Sequence, residues 1–453
     1  MIRLSTATKA TLAAIFLTSS FSTVAQDNSA AEEKSSTFTI DAQVMVRGEL
    51  RKGGLPNTRK SDSETIANSD EARFIHERAR LTFGIEKKWL EAKISVQHSG
   101  VWGQAGGGAL SIYEAWGLLK SGNGLFAKFG RQGLAYDDER IIGTNDWAMA
   151  ASSHDALKIG YEGYGHKVHA IGVYNQNAEN VNGGTSYFNG SQPYKTMATL
   201  WYHYDFAKIP LGISVLGMNT GMQAELDVGT DEVKDGTHNQ QLVGAYAIFH
   251  PKRWKVEGSY YRQMGRGESG LKIRAWMASA KVQFSPAANY GFNAGYDYLS
   301  GDKYFAVPTQ GHIGLIKHDI IRGFNPIYGS HHQFYGVMDF FYVTTFVNGF
   351  TPGLQSLYVG ANYSPIKNLS IDASFHHYAI TANLSGISTK RLGEELSASA
   401  SYSFLKEASI SAGFSFMKGS STMEFLKRTG DDRFLRWGWI SLNINPRLFT
   451  TKW

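Results

Sequence analysis

The sequence predicts an all-β protein: a single antiparallel transmembrane β-barrel of about eighteen strands, with short periplasmic turns at one end and long extracellular loops at the other. Three observations carry this. Apolar and polar residues alternate with period two in segment after segment, which gives a strand two unlike faces. The connections between those segments are alternately short and long. The chain is 13% aromatic, with 49 Gly, 10 Pro and no Cys, and none of its later apolar runs approaches the roughly 18 residues of a spanning helix. Such a composition also suits a secreted β-sandwich or β-helix, which is the alternative to weigh.

The N-terminus supports export from the cytoplasm. Arg3 and Lys9 are followed by a short apolar core, Ala10 to Leu17, and by the small-residue site Thr23-Val24-Ala25. This is the pattern of a secretory signal peptide over 1–25. Residues 26–36 are small and polar, a flexible lead-in, and the barrel is expected over 37–453. The absence of Cys excludes a lipoprotein anchor and disulfides. A formal charge of +6 is small for 453 residues and gives no reason to expect nucleic acid as a partner.

Strands are expected at 37–50, 72–86, 89–99, 109–120, 124–135, 155–164, 166–176, 195–206, 209–219, 239–249, 252–264, 270–285, 287–299, 353–364, 367–379, 391–404, 407–418 and 434–446. After each even strand the link is tight, as at Lys87-Lys88, Ser121-Gly122-Asn123 and Lys406. After each odd strand it is longer: 51–71, 136–154, 177–194, 220–238, 300–352, 380–390 and 419–433. An outer-membrane barrel needs that rhythm, and a sandwich does not.

The faces agree. In the first strand Phe38, Ile40, Ala42, Val44 and Val46 oppose Thr39, Asp41, Gln43 and Arg47. In the third, Leu90, Ala92, Ile94 and Val96 oppose Glu91, Lys93, Ser95 and Gln97. No amphipathic helix is available to cover so much apolar face, so lipid covers it. Arg78 and Arg80 share one parity of the second strand. An Arg facing lipid at mid-depth costs about 2–4 kcal/mol, so both must face the lumen. The strands at 166–176, 209–219 and 239–249 alternate poorly, and their faces stay unassigned. Trp89, Trp116, Trp201, Tyr202, Trp254, Tyr260, Tyr261, Trp276, Tyr402, Trp437 and Trp439 fall near strand ends, where a membrane-interface girdle would place them. The chain ends in Phe449-Thr450-Thr451-Lys452-Trp453, a few residues beyond the last expected strand. A terminal aromatic there resembles the signal read by the barrel-assembly machinery.

Eighteen strands enclose an aqueous lumen rather than a packed one. Selection would then rest on charge and on constriction by inward loops. By parity the lumen cations are Arg47, Arg78, Arg80, Lys93, Lys128, Lys158, Lys255 and Lys281. The anions are Asp41, Glu91, Glu114, Asp205, Glu257, Asp372 and Glu395. The list is mixed, and many of these charges are expected to pair with one another. The loop 300–352 is long enough to serve as a gate, above all in Phe324 to Phe341.

The stretch from Gly130 to Ile159 is dense in charge and carries a signature: Gly130-Arg131-Gln132, Tyr136-Asp137-Asp138-Glu139-Arg140-Ile141, Asp146-Trp147 and Ser153-His154-Asp155-Ala156-Leu157. With Tyr174-Asn175-Gln176, Ser300-Gly301-Asp302, the run from Phe324 through His331-His332 to Phe341, and Gly393-Glu394-Glu395-Leu396, it resembles the alginate export family of outer-membrane barrels. The resemblance spans about 75 to 404. It implies an eighteen-stranded barrel whose Arg-rich pore passes an anionic exopolysaccharide outward, among lipid and lipopolysaccharide and beside a periplasmic export complex. Carried over by position, it points to Arg131, Asp138, Arg140, Asp146, His154 and Asp155 as pore residues. Guanidinium groups suit bidentate capture of uronate carboxylates. Alternation from Phe129 turns Arg131 toward lipid, so a bulge at Gly130 is expected to bring it inward.

Other constellations point to no chemistry. Gly106-Gly107-Gly108 lacks the Lys of a phosphate loop, His331-His332 is a bare loop pair, and Asp231, Glu232 and Asp235 do not have the spacing of a calcium cage. No nucleophile motif accompanies His154-Asp155. The reading is a channel, not an enzyme, without cofactor or metal, for passive passage of a hydrophilic anionic saccharide. A general or substrate-selective uptake porin and a secreted binding or adhesion protein are the alternatives.

Overall fold

The computed structural model describes residues 36–52, 71–179, 181–182, 187–190, 192–224, 236–302, 320–341, 351–384, 387–427 and 434–453. The expected signal peptide, nearly all of the lead-in and the Asp231–Asp235 cluster lie outside these.

The strands are β1 (Thr37–Lys52), β2 (Ala72–Glu86), β3 (Leu90–Val101), β4 (Ala109–Lys120), β5 (Leu125–Gln132), β6 (His154–Gly163), β7 (His166–Tyr174), β8 (Thr196–Asp205), β9 (Leu211–Gln223) and β10 (Thr237–Phe249). There follow β11 (Trp254–Arg266), β12 (Lys272–Ala287), β13 (Tyr290–Leu299), the two-residue β14 (Ile320–Ile321), β15 (Leu354–Ile366), β16 (Leu369–Ala379), β17 (Arg391–Leu405), β18 (Ala408–Gly419), β19 (Phe434–Ile444) and β20 (Arg447–Lys452). Successive wall strands pair antiparallel, and β1 pairs with both β2 and β19, so the sheet closes. β14 only caps the top of β12, and β20 continues β19 past Asn445-Pro446. The wall is therefore the expected eighteen-stranded barrel. The end of the last strand, expected at 446, is a correction. Pro446 interrupts the ladder but its carbonyl accepts from Ala42 N at 3.0 Å, and pairing with β1 resumes from Arg447 to Lys452. The terminal aromatic thus sits on the wall.

The assigned faces hold. Val44, Ile94 and Leu396 are exposed on the outside, while Arg47, Ser95, Gln97 and Ser397 are buried within. The three strands that alternate poorly in sequence, β7, β9 and β10, alternate in structure. Their inward residues Ile171, Val173, Leu216, Met218 and Leu242 are buried and apolar because Leu134, Tyr136, Ile141 and Ile142 of an inward loop pack with them. Apolar residues on both faces erase the period-two signal. This side of the barrel is a dry core rather than a wet lumen.

The girdle is smaller than expected for the same reason. Trp89, Trp254, Tyr260, Trp276 and Tyr402 are exposed outward, but Trp201, Tyr261 and Trp437 are buried inside and Trp116 donates to Glu114 in the lumen. One short helix, α1 (Ser421–Lys427), follows β18. No helix among the described residues is long and apolar enough to cross a membrane.

Candidate functional site

Two loops fill the lumen, 133–153 after β5 and residues 320–341 of the connection between β13 and β15. They are stitched to each other. Gly143 N donates to Tyr328 O at 2.8 Å, Ser330 N to Glu139 O at 2.9 Å and Asn145 N to Ser330 Oγ at 3.0 Å. The Glu139 carboxylate accepts from Ser330 Oγ at 2.6 Å and from Thr144 N at 3.1 Å. The chains run so close that a Cβ on Gly329 would lie 2.3 Å from the Arg140 carbonyl oxygen. Phe324, Tyr335, Met338 and Phe340 are buried, so the expected inward folding of Phe324–Phe341 holds.

The loop 133–153 is anchored at two ends. At the first, Tyr136 hydrogen-bonds His169 at 3.0 Å, and Asp137 accepts from Trp201 Nε1 at 3.1 Å. Burial pushes the Asp137 carboxyl above its ordinary value, against the hydrogen bonds that favour its charge. Arg140 then reaches the wall. Its guanidinium meets Asp297 of β13 at 3.1 Å, Asp138 at 3.2 Å and the Tyr335 hydroxyl at 3.2 Å, with the Phe334 ring 4.1 Å away. Burial alone would lower its pKa, but Asp297, Tyr335 and Asp138 outweigh burial and hold it well above the ordinary value.

The second anchor is the basic wall of β1 and β2. Arg78 donates to the Asp146 carbonyl at 2.9 Å and the Ala148 carbonyl at 3.1 Å, and Arg80 meets the Asp146 carboxylate at 2.8 Å. Arg47 donates to the Trp147 carbonyl at 3.2 Å and lies 4.4 Å from that indole ring. That indole also stacks on His332 at 4.1 Å, and His332 pairs with Asp339 at 2.9 Å. A column of guanidinium, indole, imidazole and carboxylate thus ties wall to both loops. Glu49 receives Arg47 and Arg51, each at 2.9 Å, and Lys93 meets Glu114 at 2.6 Å. Among the described residues of this wall, Arg47, Arg51, Arg78, Arg80 and Lys93 form their ion pairs with Glu49, Asp146 and Glu114, five cations to three carboxylates. Across the barrel the balance reverses. A cavity of about 490 Å³ is lined by Arg140, Lys255 and Lys281 with Asp137, Asp138, Glu139, Glu257 and Asp297.

Most predicted positions therefore meet in the lumen: Arg47, Arg78, Arg80, Lys93, Glu114, Asp138, Arg140 and Asp146. His154 is inside but buried against Tyr194, at 2.5 Å. Arg131 and Asp155 are corrections. The ladder runs through Gly130 without a register shift, so Arg131 keeps the parity of Phe129 and Asp155 that of Leu157, both exposed outward. The two form a bidentate pair at 2.8 and 2.7 Å on the outer face. Gly130 serves close approach instead: at φ 110°, a Cβ there would lie 2.3 Å from the Ala115 carbonyl oxygen. The bulge is on β4, where Tyr113 is the extra residue and turns its ring under Arg80 at 4.0 Å. Asp297 is a structural centre that parity and charge did not single out, whereas Glu139 and Trp147 lie within the signature and Glu49 shares the inward parity of Arg47. No metal-binding cluster occurs among the described residues.

Comparison with known proteins fits this architecture. A family model described as "Alginate export" matches residues 110–403. No curated protein matches the sequence. Among solved structures, the chain is similar to OccK9 (OpdG) of Pseudomonas aeruginosa, with 12% identity and a TM-score of 0.57 over 91% of this chain and 98% of that one. It is also similar to OpdO of Pseudomonas aeruginosa (11%, TM-score 0.59, 92% and 98% covered). A third is OccAB1 of Acinetobacter baumannii (12%, TM-score 0.58, 90% and 97% covered). At such identities these show the fold.

Proposed function

Because the chain belongs to the alginate export family, we propose that it is an outer-membrane channel for passive passage of a hydrophilic anionic saccharide. The observation that carries the substrate class is the one-sided basic wall of Arg47, Arg78, Arg80 and Lys93 beside a lumen narrowed by two loops. An anion passing that wall is drawn by the field of these cations, of which Lys93 is the most exposed, while Asp146, Glu49 and Glu114 hold them in place and keep binding weak. Weak, repeated binding is what conduction needs. Lipid faces the apolar exterior, and the tight turns lie on the periplasmic side, where the leader delivers the chain to the assembly machinery. The acidic wall across the barrel favours a second reading, a general uptake porin in which opposed charges orient any polar solute. Conductance in planar bilayers separates the two. An anion-selective pore blocked by oligouronates but not by neutral oligosaccharides supports the first. An unselective, unblocked pore overturns it.

A further inference from the structure

Near the tight-turn end of the lumen, Lys128 of β5 and Lys158 of β6 stand directly opposite each other on the inner face. Like charges in that position repel across the sheet. Among the described residues neither meets a carboxylate in an ion pair. Each lies against an aromatic ring instead: Lys128 Nζ is 3.7 Å from the Trp116 centroid and Lys158 Nζ 5.6 Å from that of Phe126. The carboxylates nearby are engaged elsewhere. Glu91 holds Lys120 at 2.6 Å, Glu114 holds Lys93 at 2.6 Å and Glu162 hydrogen-bonds His169 at 3.0 Å.

The rings are fixed in place. Trp116 Nε1 donates to Glu114 at 3.1 Å. Phe126 lies over Gly160, where a Cβ would come within 2.5 Å of the ring, and meets His169 edge-on at 5.2 Å. The four side chains line a cavity of about 370 Å³. Two ammonium groups on one side suit a carboxylate, and aromatic faces suit the C–H face of a pyranose ring. Few ligands carry both, and a uronate residue does.

We propose that Lys128, Lys158, Trp116 and Phe126 form an entry subsite for a uronate residue, upstream of the arginines on the path outward. This rests on the anionic-saccharide reading above. The test is single-channel block by a tetrauronate added to one side of a bilayer at a time, on the full chain. Lys128→Gln with Lys158→Gln weakens block from the tight-turn side about tenfold and block from the loop side threefold or less. Trp116→Leu weakens the same side, and arginine at both lysine positions restores block. Block unchanged by the glutamine pair, yet weakened by Arg80→Gln, overturns the subsite and leaves the channel reading standing. Block of wild type by a neutral tetrasaccharide as strong as by the uronate overturns the role of the lysines. A wild-type pore that no uronate blocks overturns both readings.

Discussion

Replacing Arg140 by alanine removes a side chain that joins both lumen loops to the wall across from β1 and β2. In the native barrel its guanidinium is buried with Asp297, and it also reaches Asp138 and the Tyr335 hydroxyl. Alanine leaves Asp297 buried without its partner. Breaking a buried pair in this way costs about 3–5 kcal/mol. The wall itself is held by its ladder, so the cost falls on loop docking. That is roughly two to three and a half powers of ten in the ratio of docked to undocked loops. The expected result is a noisier channel of higher mean conductance, with faster proteolysis within 320–341 and an unchanged barrel in circular dichroism. The double variant Arg140→Ala with Asp297→Asn no longer buries a charge and recovers more than half of the loss. If the single and double variants behave alike, the penalty is not the stranded carboxylate. If conductance and proteolysis match wild type, Arg140 is not the tie.

Four further outcomes follow from the geometry. Arg80→Gln and Arg78→Gln shift the reversal potential in a salt gradient toward cation preference and weaken oligouronate block about tenfold, measured in bilayers. Arg131→Ala leaves conductance and selectivity within error of wild type, because its pair with Asp155 lies on the outer face. The chain has no Cys, so single spin labels are clean. A label at Ile94 is relaxed by a lipid-soluble quencher, one at Gln97 by a water-soluble one, and the reverse pattern would remove the membrane. Lys427 of α1 donates to the Phe340 carbonyl at 2.9 Å, and burial holds its pKa well below 10.5. The undocked helix then binds more protons than the docked one, so docking tightens as pH rises from the lowered value toward 10.5. A label at Ser421 should become less mobile over that rise, and Lys427→Met should flatten the response.

What the residues reveal in advance depends on how many environments a segment separates. β1, β2, β3 and β17 divide an apolar outside from a polar inside, and their limits and faces are legible from alternation alone. β7, β9 and β10 divide an apolar outside from a core built by a loop distant in sequence, so alternation vanishes although the strand does not. The same loop explains the aromatics. Trp201 lies midway along β8 and Trp437 near the start of β19, and Asp137 and Glu49 draw their N–H groups inward at 3.1 and 2.9 Å. Parity placed Arg78 and Arg80 correctly because an arginine without a partner at mid-depth is costly on the lipid side. It also placed Arg131 outward, and the bulge invoked to reverse that was not needed once Asp155 stood beside it on the same face. The family motifs explain why. Glu139, Asp302 and Glu395 spend their carboxylates on loop atoms: Ser330, the amides of Arg322 and Gly323, and the amides of Val337 and Met338. These residues specify how two loops fold into a barrel. On the proposed reading, selection of the solute falls instead to Arg47, Arg78, Arg80 and Lys93 on the opposite wall, and those belong to no motif.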